Sequence, residues 1–282
     1  RNNIIVYAIM QYARVTGNKE YIARYGLEVM IAICRFWSQR VSYSQARQKF
    51  VLLGVTGPNE YENNVNNNWY TNFSCVQCLQ STIDSIEMVA HEFPEEYARV
   101  RRVTRFNYAE ETSRCQKILD PMYPPRDEQQ GIFIQDDGYP DKELTTVDDI
   151  PANERPINQW WSWDRILRSC YIKQSDVLLG LFLYYENFDR ETILRNFRFY
   201  EPRTVHESSL SPFVHAILAA WIGDTEEAYR LFLHATRLDL DDYNNEVHQG
   251  LHITSMAGSW QVIVRGFAGM KILDGQLDFN PI

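Results

Sequence analysis

Glu60, Glu62, Lys173 and His252 are the side chains whose type and setting could do chemistry. Both glutamates lie at 57–72, GPNEYENNVNNNWYTN, where a Gly-Pro turn signal opens an asparagine-rich run carrying three aromatic residues. Such a run suits neither a helix interior nor a strand. Amide side chains offer a donor and an acceptor to paired hydroxyls, and Trp and Tyr faces stack on the apolar faces of sugar rings. A glutamate in that company, with its pKa raised by partial burial, could protonate a glycosidic oxygen. On composition alone a solvated polar loop is an equal reading of the same stretch.

A second region complements the first. Residues 247–273 contain no Asp or Glu and supply His252, Thr254 and Ser255, then Ala-Gly-Ser-Trp at 257–260. Small residues ahead of a helix predicted from Ser259 would expose backbone N–H groups suited to a phosphate, which nominates His252, Ser255, Gly258 and Ser259. An inverting hydrolase needs a second carboxylate to activate water, whereas phosphate is already a nucleophile and needs only a cradle. Taken singly, His252 reads equally as a core histidine and Gly258 as a packing residue. His248 and His252 are spaced for a metal, but Gly250 between them weakens a helical ligand pair, and no metal is expected. The acidic stretch 239–246, DLDDYNNE, reads as a helix end with capping and loop hydrogen bonds.

The elements that must position these groups are helical. Ile4, Ile5, Ala8, Ile9 and Tyr12 keep helical spacing up to the Gly17-Asn18 stop, and Ile22, Tyr25, Val29, Ile33 and Phe36 step likewise in a second helix. Val76, Leu79, Ile83, Ile86 and Ala90 repeat the pattern as far as Pro94. Near the other end two helices break at Gly223, with Asp224 as N-cap and Glu227 in the capping-box position. The segments 11–30 and 219–236 share a helix, a Gly-Asn or Gly-Asp turn and a further helix, as stacked helix pairs in solenoids or closed toroids do. Between them, the proline-rich residues 121–160 read as a long irregular loop ordered against a cleft, followed by Trp160, Trp161 and Trp163. The alternation after Lys271 reads as a strand beginning.

The bulk properties narrow the function. A net charge of -9 offers no basic face for a nucleic acid, and the run at 177–185 is too short to span a membrane. The odd number of scattered cysteines argues against a disulfide framework and for a reducing, cytoplasmic setting. The Cys75-x-x-Cys78 pair, inside a helical pattern, reads as packed thiols. The abrupt helical start suggests an internal piece of a longer chain.

Four blocks together carry a resemblance: VTGPNEYENNVNNNWYTN at 55–72, ERPINQWWSWDRILRSCYIKQSDVLLGLF at 154–182, HESSLSPFVHAILAAWIGD at 206–224 and DLDDYNNEVHQGLHITSMAGSWQVIVRGFAGMK at 239–271. In this order they resemble the inverting disaccharide phosphorylases of glycoside hydrolase family 65, over nearly the whole chain, with wording nearest the members acting on maltose. The resemblance implies an all-α fold, part of an (α/α)6 barrel over 1–272, with a C-terminal β-domain beginning at 273–282. It implies Glu60 as general acid in the G-P-[DN]-E-Y motif, a substrate-contacting pair at Lys173 and Gln174, and phosphate binding around His252, with Glu62 in a supporting, sugar-contacting role. Its activity would be phosphorolysis of an α-glucosyl disaccharide, with inorganic phosphate as co-substrate and no metal or organic cofactor, in a homodimer when full length. Trehalose, kojibiose or nigerose are alternative substrates to maltose. The rival readings are a trehalase-like inverting hydrolase of the same fold, which would need a base from 121–160 or from outside the chain, and a non-catalytic carbohydrate-binding helical module.

Overall fold

The computed structural model describes residues 2–273 and 276–282. The chain divides into two compact units, one of Arg1–Leu53 with Thr71–Pro124 and one of Gly54–Tyr70 with Pro125–Ile282.

In the first unit, helix α1 (Asn2–Thr16) ends at Gly17, whose φ of 69° only glycine adopts freely. Asn18 then caps the next helical run by accepting from the Tyr21 backbone N–H at 3.1 Å. That run contains a π-helical turn, Ile22–Gly26, before α2 (Leu27–Arg40). The wider turn changes the face presented to the core. The buried residues include Ile22, Ala23, Leu27, Met30, Ile31, Ile33, Cys34 and Trp37, while Tyr25, Val29 and Phe36 are exposed. The expected face is therefore corrected in part, Ile22 and Ile33 being buried, and the helix is where its spacing put it. In α1 the same holds: Asn3, Val6, Ile9 and Ala13 are buried and Ile4, Ile5 and Tyr12 are not. A short hairpin follows, β1 (Ser42–Ser44) with β2 (Lys49–Val51), Ser42 opposite Val51. Helix α3 (Trp69–Glu92) buries Leu79, Ile83, Ile86 and Val89 on the face its spacing predicts. Helices α4 (Pro94–Thr104) and α5 (Tyr108–Leu119) complete the unit. Arg35 clamps α2 to α5 through two bonds to the Glu111 carboxylate, at 2.6 and 2.8 Å.

The second unit is organised by α8 (Pro212–Ile222), which is apolar on nearly every face and buried along almost its whole length. Such a helix must be surrounded. Around it pack α6 (Asp176–Leu183), α7 (Arg190–Tyr200), α9 (Thr225–Arg237) and α10 (Ile253–Gln261), the last running into a π-helical turn, Val262–Phe267. Gly223 ends α8 at φ 83°, and Asp224 caps α9 by accepting from the Glu227 N–H at 3.1 Å. The proline-rich segment is an ordered loop. It holds a ribbon, β3 (Arg126–Asp127) with β4 (Ile132–Phe133), and three 3-10 turns, and it buries Gln135, Asp136, Tyr139 and Ile150. Strands β5 (Lys271–Leu273) and β6 (Gln276–Asp278) pair antiparallel. Residues 274 and 275 of the expected β segment lie outside the described residues.

Candidate active site

The glutamate-bearing loop is pinched at its neck by an isolated antiparallel bridge, Val55 and Val65 exchanging both backbone bonds at 2.8 Å. At and beyond the neck, asparagines hold the loop. Asn64 and Asn67 take φ of 54° and 52°, the left-handed region that asparagine tolerates better than other residues with a side chain. Asn66 accepts from the Gly54 N–H at 3.0 Å, and Asn67 donates to Asp137 at 2.7 Å. The composition pointed to amides reading sugar hydroxyls. Asn66 and Asn67 thus use side-chain amide atoms to hold the loop.

Asn59 is the hub. Fully buried, it donates its N–H to Asp176 Oδ1 at 2.5 Å, and its Oδ1 accepts from the N–H groups of Tyr61 at 3.2 Å and Lys173 at 3.0 Å. Asp176 begins α6, where a carboxylate suits the helix dipole, and its Oδ2 accepts from Asn68 at 2.6 Å. Gly57 admits this carboxylate, because a Cβ there would stand 1.9 Å from Asp176 Oδ2. The motif's first glycine is therefore required by close approach. Burial, and after it the charge of Glu62, push Asp176 well above the usual carboxylate range.

This frame brings Glu60, Lys173 and Gln174 together. Glu60 is 64% exposed, and its Oε2 receives the Lys173 ammonium at 2.5 Å. Lys173 stands two residues ahead of Ser175, the cap of α6. Gln174 donates to the Pro58 carbonyl at 2.6 Å and accepts from the Ser208 hydroxyl. Glu62 points elsewhere. At 3% exposed, it receives Gln135 Nε2 and Lys142 Nζ, each at 3.3 Å, beside Asp136. Burial, then the charge of Glu62, push Asp136 up to about 7. The supporting role expected of Glu62 is structural in this geometry, since its carboxylate is enclosed by its own chain.

Sequence reasoning missed Glu207. It is buried, its Oε2 accepts from the Tyr61 hydroxyl and its Oε1 from the Ile157 N–H at 2.7 Å. Burial raises its pKa, while the Tyr61 hydroxyl, backbone N–H groups and the charge of Lys173 oppose the rise. Lys173 thus serves two carboxylates, Glu60 by contact and Glu207 through its field. The only signal in the sequence was a glutamate beside a histidine in HESS, which carries no spacing rule. Trp163 lies edge-on to Tyr61 at 6.3 Å between ring centres, and Trp160 and Trp163 are 64% and 48% exposed. These are faces on which a sugar could stack.

The proposed phosphate block is rearranged. Helix α10 starts at Ile253 with His252 as its cap residue, so Gly258 and Ser259 lie inside the helix and are not ahead of it. A Cβ on Gly258 would meet Phe213 at 2.4 Å. Ser255 is buried and donates to the Ala235 carbonyl at 2.7 Å, and Ser259 donates to the Ser255 carbonyl at 2.8 Å. These three residues pack, and the helix start falls at His252. Its Nδ1 contacts Asp239 Oδ1 at 2.5 Å, its backbone N–H donates to Asp239 Oδ2 at 2.8 Å, and Nε2 lies 3.8 Å from Glu246. Although 247–273 carries no carboxylate, two from the preceding acidic stretch hold its histidine. The remaining acids of that stretch are engaged locally, Asp241 by Arg237 and Asp242 by the N–H groups of Glu246 and Val247. Burial, and after it the charge of Glu207, raise the Tyr61 hydroxyl pKa, with a smaller contribution from Glu246.

A mostly helical unit presenting an exposed glutamate, a lysine and open tryptophan faces has the chemistry that suits a carbohydrate. Residues 1–261 match the glycosyl hydrolase family 65 central catalytic domain, and the chain belongs to that family, whose helical-toroid catalytic fold it shares. It is 49% identical over its whole length to maltose phosphorylase of Bacillus subtilis (strain 168), and 39% identical over 99% of its length to alpha,alpha-trehalose phosphorylase of Thermoanaerobacter brockii. In each case it covers 36% of the relative. A solved structure described as a kojibiose phosphorylase from the human microbiome superposes with a TM-score of 0.91 at 37% identity, over 100% of this chain and 38% of that one. The chain thus spans about a third of the length of these relatives.

Proposed function

We propose that the chain carries the catalytic centre of an inverting disaccharide phosphorylase. Glu60 protonates the departing glycosidic oxygen while inorganic phosphate attacks the anomeric carbon of an α-glucosyl unit, giving β-D-glucose 1-phosphate and a free sugar. The observation that carries this reading is the exposed Glu60 carboxylate held by Lys173 on a loop fixed through Asn59. When a sugar enters, its hydroxyls take over Lys173 and Gln174 and release Glu60 for proton transfer. Phosphate would lie beside His252 at the start of α10, where the helix dipole favours an anion. Maltose is the favoured substrate, on the 49% identity to a maltose phosphorylase against 39% to a trehalose phosphorylase. The same reading includes no organic cofactor or metal, a cytoplasmic location and a homodimer of the full-length protein.

Glu207 favours a second reading. A buried carboxylate near Lys173, with its pKa raised, has the attributes of a base that activates water, and inversion by hydrolysis needs such a group. Incubating the full-length protein with maltose, with and without phosphate, separates the two. Glucose 1-phosphate formed only with phosphate supports phosphorolysis, and equal glucose release without phosphate supports hydrolysis. Glu60→Gln should abolish turnover under either reading while sugar binding persists. Glu207→Gln should abolish hydrolysis but leave phosphorolysis measurable.

A further inference from the structure

The first unit gathers four of the five cysteines, none of which the sugar chemistry uses. Cys34 on α2 and Cys115 on α5 place their sulfurs 2.8 Å apart, with Cys75 and Cys78 of α3 close enough to act on them electrostatically. All four are free thiols and buried, Cys34 at 6% and Cys115 at 4% exposed. A 2.8 Å separation lies inside van der Waals contact and needs less than an ångström of closure to reach the roughly 2.05 Å of a disulfide bond. The Arg35–Glu111 clamp, one residue along α2 and four along α5, already holds the two helices at this spacing. The pair borders a small pocket lined on its apolar side by Ile31, Ile86 and Phe106 and on its polar side by Arg35, Glu111 and the exposed Arg114.

We propose that Cys34 and Cys115 form a reversible redox couple, oxidised by a small hydroperoxide, whose disulfide staples α2 to α5. The Cys115 thiolate attacks one peroxide oxygen, the O–O bond breaks, hydroxide leaves and Cys115 becomes a sulfenic acid. The Cys34 sulfur then attacks the Cys115 sulfur, forming the S–S bond, and the hydroxyl departs as water with the proton of Cys34. Two thiols and one hydrogen peroxide thereby give one disulfide and two waters. Cys115 is the group oxidised first, because the hydrogen bond from Cys34 lowers its pKa while Cys34 is raised. Cys75 and Cys78 are both raised, chiefly by burial, and stay thiols.

The test uses the folded full-length protein exposed to hydrogen peroxide, alkylated and mapped by peptide mass spectrometry. The expected product is a Cys34–Cys115 cross-linked peptide pair, lighter by about 2 Da than the two thiols and reversed by dithiothreitol, with Cys75 and Cys78 alkylated. Cys34→Ser should leave a sulfenic acid on Cys115 that dimedone traps. Full alkylation of Cys34 and Cys115 after oxidation would overturn the proposal. So would a disulfide joining either of them to Cys75 or Cys78. The wild-type mapping alone decides these outcomes, whether or not the variant folds.

Discussion

Replacing Asn59 with alanine tests whether the catalytic groups are positioned from one point. The side-chain oxygen accepts from the buried N–H of Tyr61, which follows Glu60 in the loop, and from the partly buried N–H of Lys173, the ion-pair partner of Glu60. Orphaning each donor costs about 1–3 kcal/mol. The Asn59 Nδ2 group is itself buried without a partner, so its removal returns about one such contribution. The net expectation is a loss of about 2 kcal/mol of stability. The larger effect is on rate, because Tyr61 and Lys173 lose their common anchor and a displacement of about 1 Å at the reacting groups costs roughly 100-fold. The assay is turnover of maltose with phosphate in the full-length protein, beside denaturant unfolding. Asn59→Asp keeps an acceptor facing both N–H groups and should recover much of the loss in kcat. Wild-type kcat in the alanine variant would refute the anchoring argument, as would an aspartate variant no better than alanine.

Two further outcomes follow from burial and packing. Asp136, held near 7 in the folded protein against an ordinary 3.8, binds more protons folded than unfolded between those values, so stability falls as pH rises through that window, by at most about 4 kcal/mol. Asp136→Asn keeps an acceptor for the Gly138 N–H and should flatten this dependence in urea unfolding at pH 5, 7 and 8.5; an unchanged slope would contradict it. Gly258→Ala forces a methyl against the buried Phe213 ring and should cost about 1–3 kcal/mol, read as a lowered Tm, and an unshifted Tm would show that the ring has room to move.

The helices were legible in the sequence because spacing and stop signals agree, as at Gly17-Asn18 and Gly223-Asp224. Their faces were legible only where one side is apolar, as in α3. In α1 and α2 apolar residues such as Ile5, Tyr12 and Phe36 are exposed opposite a buried apolar stripe, so periodicity alone cannot choose between the sides. Within the site, Glu60, Lys173 and Gln174 were named through a resemblance and meet in space. Glu207 was not, because it meets Tyr61 across 146 residues of chain. The helix expected from Ser259 begins instead at Ile253, and Gly258, for which packing was the alternative reading, lies inside α10 against Phe213.

The bridge between Val55 and Val65 makes the glutamate loop a cassette closed at its neck. Antiparallel pairing fixes which residue faces which, so an inserted or deleted residue between the two valines would have to be absorbed by the turn at the left-handed Asn64, or would carry Glu60 away from Lys173. Descendants of this chain are therefore free to explore new sugars by exchanging side chains around the cassette, but closed to exploring them by changing its length.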